Sequence, residues 1–174
     1  MATFTMTPDG TTSNDWTVVG SSAHEAVQSD DGDTTYIHSN TDTDSCILTM
    51  GAPSVAESAI DFAGDGVAYY RLFALGRCPD RGTAGADVQL TVTDPSNGSL
   101  SVTANFHNHR TDNESESGPT QNTSGITYSD LEGMTVRLLK SGTDRAIITY
   151  VYVVVNYTAT ATVADNATFF GTNF

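Results

Sequence analysis

The chain has 174 residues, enough for one domain with a real core, and carries 21 acidic residues against 7 basic ones, a net charge of −14. A surface of that sign repels phosphate backbones and anionic lipid, which argues against nucleic-acid and membrane partners. The apolar content is only 38%, but it is gathered into short runs, which argues against disorder.

Taken in chain order, MATFTMTPDG lacks the basic and apolar segments of a secretory signal, so synthesis in a cytoplasm is expected. TFTMT (3–7) and DWTVVG (15–20) are β-branched runs that predict strands. Short helical turns are expected near 23–28 and 129–132, the second with Leu131 pointing inward, and the first is followed by SDDGDTTYIHS (29–39). Here Asp30, Asp31 and Asp33 surround Gly32 just before a strand candidate at 35–39. The EF-hand pattern of alternating acids closed by a Glu is absent. Two readings stay open: a structural calcium site completed by Asp42 or Asp44, or an Asx-type turn. In the turn, carboxylates accept from backbone amides, Gly32 takes the positive φ, and the strand starts at Tyr36.

Further strands are expected at SCILTM (45–50), SAIDFA (58–63), VAYYRLFALGR (67–77), DVQLTVT (87–93), LSVTANFHNHR (100–110) and MTVRLL (134–139). DPSNGS (94–99) is a hairpin turn with Asn97-Gly98 at its tip. Cys46 and Cys78 form no C-x-x-C pair and are expected as buried free thiols. The stretch 109–125 is polar and reads as a long surface loop. Trp16, Tyr69, Tyr70 and Tyr128 could form a sugar platform, or serve as core and interface anchors.

In FHNHR, His107 and His109 sit at i and i+2, so on a strand they face the same way, as metal ligands would. With Glu114 five residues on, the order resembles the first motif of cupins. No histidine follows His109, so that family's last ligand is missing. A strand end running into a polar loop explains the pair equally well.

The last run, RAIITYVYVVVNYTATATV (145–163), is apolar on both faces. Strict alternation sets Ile147, Val151, Val153, Val155 and Tyr157 on one side and Ile148, Tyr150, Tyr152 and Val154 on the other. Such a strand is central in its sheet, or its outer face meets a partner chain. The tail then carries Phe169, Phe170 and Phe174, which are expected to pack on the sandwich, a sister subunit or another protein.

The fold expected is all-β: a jelly-roll-like two-sheet antiparallel β-sandwich at 15–158, with an N-terminal strand or arm at 1–14 and a C-terminal arm or added strand at 159–174. Two stretches, HEAVQSDDGDTTYIHS (24–39) and GITYSDLEGMTVRLLKSGTDRAIITYVYVVVNYT (125–158), carry a resemblance. In that order the pair resembles a β-sandwich module of tailed-virus virion proteins: head decoration or cement proteins, head fibres and tail-associated proteins. One departure is Tyr128 before Ser-Asp-Leu-Glu, where Trp is common.

The resemblance implies a structural role in the virion, with the major capsid protein or other virion proteins as partners, a homo-oligomer, no enzymatic activity and no cofactor. The role expected first is a decoration protein that binds and stabilises the assembled head. The alternative is a carbohydrate- or host-surface-binding module of a head fibre or tail. A cupin-like metal enzyme is the remote third reading.

Overall fold

A computed structural model describes residues 1–32, 34–62, 67–79, 86–95, 98–106, 114–122 and 126–161. Two antiparallel sheets face each other. The larger contains β1 (Ala2–Met6), β3 (Thr17–Val19), β4 (Tyr36–Ser39), β6 (Val67–Arg77), β9 (Glu114–Asn122) and β11 (Ala146–Tyr157). The smaller contains β2 (Pro8–Asn14), β5 (Ser45–Met50), β7 (Asp87–Asp94), β8 (Gly98–Asn105) and β10 (Thr135–Ser141). The fold is the all-β, jelly-roll-like sandwich that the strand pattern predicts.

The alternation written in the sequence becomes burial. In β5 and β7 every second residue is buried, so Cys46, Leu48, Met50, Val88, Leu90 and Val92 line the space between the sheets. Tyr70, Leu72 and Ala74 of β6 and Val151, Val153 and Val155 of β11 meet them from the opposite sheet. Tyr70 carries its hydroxyl into this core and donates to the buried Asp94 carboxylate at 2.6 Å. Burial, then Asp94, pushes the Tyr70 pKa far up. Both cysteines are free and buried, as expected, and burial, with Asp15 adding, raises the Cys46 thiol to about 12.

Sequence and structure part in four places. SAIDFA is not a strand: a 3-10 turn at Glu57–Ala59 leads into Ile60, which makes a single antiparallel bridge to Ala159. The polar PDGTTSN is a strand because it pairs with β5 along the sheet edge, where solvent-facing polar residues carry no burial cost. Part of the expected surface loop, 114–122, pairs its backbone with β6 as β9.

The fourth difference is in β11, where the register with β6 jumps between Ile148 and Tyr150. Thr149 is the extra residue of a β-bulge, buried, with its hydroxyl donating to Leu75 O at 3.3 Å. The bulge exchanges the two isoleucines relative to strict alternation. Ile148 joins the core, while Ile147 lies outside the core cluster, on one rung with His38 and Arg77. Gly76 makes the bulge possible: a Cβ there would lie 2.5 Å from Ile147 O and 2.8 Å from Ile148 Cδ1.

The expected helical turns are present as a 3-10 turn at Glu25–Val27 and as α1 (Tyr128–Glu132). In α1, Thr127 and Asp130 form a reciprocal capping box, and Leu131 points inward and is fully buried.

Candidate functional site

The outward face of the larger sheet is where this fold leaves chemistry exposed. β11 lies centrally, between β4 and β6, with β1 taking over from β4 along its second half. Its outward side chains after the bulge are therefore flanked on both sides. Register sets Tyr152 opposite Phe73, Tyr150 opposite Leu75, and Val154 opposite Arg71. These residues are half-buried and belong to no part of the core cluster.

The rings form a row. Phe73 and Tyr152 stack at 4.9 Å between centroids and 6° between planes. Tyr150 stacks on Tyr152 at 4.7 Å and 24°. The Arg71 guanidinium lies 5.2 Å from the Phe73 centroid and extends the row as a cation–π contact. Because neighbouring rings cover one another, the row offers ring edges, the two tyrosine hydroxyls and the outer faces at its ends.

Charged groups border it. At the Tyr150 end stands Asp30: burial, then Tyr152 and Asp30, raises the Tyr150 pKa. At the other side of the face, Ile147 lies between His38 of β4 and Arg77 of β6, with Arg145 two residues earlier on the chain. Burial, followed by the nearby Arg145 charge, lowers the His38 pKa, and His38 Nδ1 is buried without a hydrogen-bond partner among the described residues. The Tyr36 ring lies 5.9 Å from the His38 ring.

The acidic segment divides. Asp31 accepts from Thr34 N at 3.0 Å, Thr35 N at 3.1 Å and Thr35 Oγ1 at 2.7 Å, and these bonds, led by the Thr35 hydroxyl, lower its pKa. Gly32 has φ 69°, and the strand begins at Tyr36. That geometry is the Asx-type turn. Asp30 is exposed and stands by Tyr150, while Asp33 lies outside the described residues. His107 and His109, Phe169, Phe170 and Phe174 lie outside them as well. Among the described residues no group of three or more His, Cys, Asp or Glu side chains is placed to hold a metal ion.

Of the four aromatics considered for a sugar platform, only Tyr69 lies half-buried on this face, in register with Asn156. Trp16 and Tyr70 are core, and Tyr128 packs against the core while donating to Val55 O at 2.9 Å. The row itself was legible only in part. Tyr150 and Tyr152 stand out as outward residues of an apolar strand, but their meeting with Phe73 depends on register across the bulge.

No family model matches the sequence, and no curated protein matches it. Among solved structures, the chain is similar to a family 35 carbohydrate-binding module from an environmental isolate, at 15% identity and TM-score 0.49, covering 92% of this chain and 100% of that one. It is similar to CBM35 from Cellvibrio japonicus Abf62, at 13% identity and TM-score 0.47, covering 92% and 97%. It is also similar to TmCBM61 in complex with β-1,4-galactotriose, at 18% identity and TM-score 0.40, covering 80% and 87%.

The role expected first is corrected here. The similar structures are carbohydrate-binding modules and not capsid decoration proteins, so a decoration role is not carried further. The geometry shows aromatic side chains that belong to no part of the core cluster held outward on the larger sheet. The fold half of the virion-module resemblance stands; these similarities carry nothing on a viral origin.

Proposed function

We propose that the protein is a non-catalytic binding module that engages carbohydrate, on a glycan or a glycan-bearing host surface, through the outward face of its larger sheet. The observation that supports this is the row of Phe73, Tyr152 and Tyr150, half-exposed and outside the core cluster. Tyrosine suits the task because it presents large, rigid, amphipathic area at low entropic cost and ends in a hydroxyl. A sugar ring has the complementary character, with apolar C–H edges and polar hydroxyls. A rigid sheet also holds the rings before the ligand arrives, which lowers the ordering cost of binding. Placement on a head fibre or tail is the part of the reading that rests on the sequence resemblance.

The test is binding to a panel of soluble glycans, with Phe73→Ala and Tyr152→Ala compared with wild type. Phe73→Ala gives up one stacking contact and the Arg71 contact, and Tyr152→Ala gives up two stacking contacts, each about 0.5–1.5 kcal/mol; both side chains lie outside the core cluster, so the domain stays folded. Affinity is expected to fall at least tenfold in both, while Thr91→Ala, on the smaller sheet, leaves it unchanged. Glycan binding that survives both aromatic substitutions in a folded protein would refute the assignment to this face.

A further inference from the structure

β4 pairs with β11 only as far as Ile148, and β1 joins it only from Val153. Tyr150 and Tyr152 lie in the stretch between. The 3-10 turn at Glu25–Val27 packs against β4 and β11, with Ala26 and Val27 buried. A few residues on, the Asp31 carboxylate is tied to Thr34 and Thr35 at the entry to β4. Asp30 falls between these two anchors, which hold its backbone at the Tyr150 end of the row.

The polar groups gathered there are ones the fold does not use. Among the described residues, the Asp30 carboxylate and the Tyr150 and Tyr152 hydroxyls make no hydrogen bond. Groups that serve the fold do: Tyr70 donates to Asp94, Tyr128 donates to Val55 O, and Asp31 accepts in its turn. Burial, then Tyr152 and Asp30, raises the Tyr150 pKa, so this phenol keeps its proton and can donate.

We infer that the saccharide unit at the Tyr150 end of the row is uncharged, held by hydroxyls that donate to the Asp30 carboxylate and accept from the Tyr150 and Tyr152 hydroxyls. The inference rests on the carbohydrate reading above and makes Asp30 a specificity-determining residue. An ionised carboxylate only accepts, while each tyrosine hydroxyl brings a proton to donate, so a ligand that satisfies the set offers both roles at one place. A sugar hydroxyl does so. A carboxylate or sulfate on the sugar only accepts, and it would meet Asp30 as a like charge. The ammonium of an amino sugar only donates, which leaves the tyrosine protons without an acceptor.

The experiment is titration calorimetry of the full chain with neutral dextran, xylan and galactan, with polygalacturonate as the carboxylated probe and chitosan as the amino probe. Only binding that Phe73→Ala weakens is counted, which sets aside the general attraction of a chain of net charge −14 for a polycation. At least one neutral polymer is expected to bind this face about tenfold tighter than either charged one. Asp30→Asn keeps the shape and removes the charge, and Asp30 is exposed, so the fold is retained. It should weaken binding of that neutral polymer about tenfold, the loss expected for a hydrogen bond to a charged group. Tyr150→Phe keeps the stacked ring and should weaken it about threefold. Glu132→Gln, which removes an exposed carboxylate at the end of α1, should leave it unchanged.

If a charged polymer binds this face as tightly as the neutral ones, or if Asp30→Asn binds the neutral polymer as wild type does, the inference is overturned and the carbohydrate reading stands. If no polymer and no member of the wider glycan panel binds, or if Phe73→Ala weakens none of the binding, both fall.

Discussion

At the scale of single residues, the face is tuned by what surrounds each group. His38 is the clearest case. Burial and Arg145 hold its pKa below the ordinary 6.5. As pH falls, the unfolded chain takes up this proton before the folded one does. The contribution of His38 to stability is therefore fully present above about pH 6.5 and is lost as pH drops towards the folded-state value. Melting temperature should fall between pH 7.5 and 5, and His38→Phe should flatten part of that fall. The check is a thermal-melt series of both proteins in matched buffers; identical slopes would show that His38 does not carry the effect. Lys140 shows the same physics in the core. It is the only lysine, fully buried, donating to Ser141 O at 3.2 Å and Gly142 O at 2.7 Å. Burial lowers its pKa, against the opposing pull of Asp42, Cys78, Asp144 and Asp44.

At the scale of elements, one bulge decides the site. Without Thr149 as the extra residue, Tyr150 and Tyr152 would keep the parity of Ile148, which is buried in the core. The bulge lets one strand bury Ile148 and still present both tyrosines outward. Its geometry depends on Gly76, where the backbone of β11 leaves no room for a side chain. Gly76→Ala is therefore expected to destabilise the fold by about 1–3 kcal/mol, the usual range for overpacking. The same change should weaken glycan binding, because Leu75 and Phe73 lie on the strand that must shift. Urea denaturation and the binding titration measure the two effects. A Gly76→Ala protein with wild-type midpoint would show that β6 accommodates the methyl group without moving the bulge.

At the scale of the whole molecule, the dominant feature is charge. A net −14 on 174 residues means carboxylates repel one another across the surface, and the repulsion opposes the compact state. Raising NaCl from 0.01 to 1 M shortens the Debye length from about 30 to about 3 Å. Melting temperature should rise over that range, and scanning calorimetry at several salt concentrations tests it. A flat profile would show that the acids are spaced too far apart to matter. The abundance of Asp has two readings, adaptation to a salty medium or the use of Asp in turns. Asp31, whose carboxylate accepts three turn hydrogen bonds, is an instance of the second.

The sequence by itself determined the class of fold, because burial alternates with the chain and alternation is local. SCILTM and DVQLTVT became half-buried strands for that reason, and the Asp31 turn and Leu131 anchor were legible from neighbours in the chain. Only the tertiary structure decided the edges and the face. PDGTTSN and part of the polar 109–125 stretch are strands because another strand supplies their hydrogen-bond partners, and no local pattern encodes a partner. The aromatic row is tertiary for the same reason. Phe73 is far from Tyr152 in the chain, and a single unpaired residue at Thr149 sets which side of the sheet the tyrosines occupy. A period of two shows that a strand has two faces, but pairing across the sheet decides what shares each face.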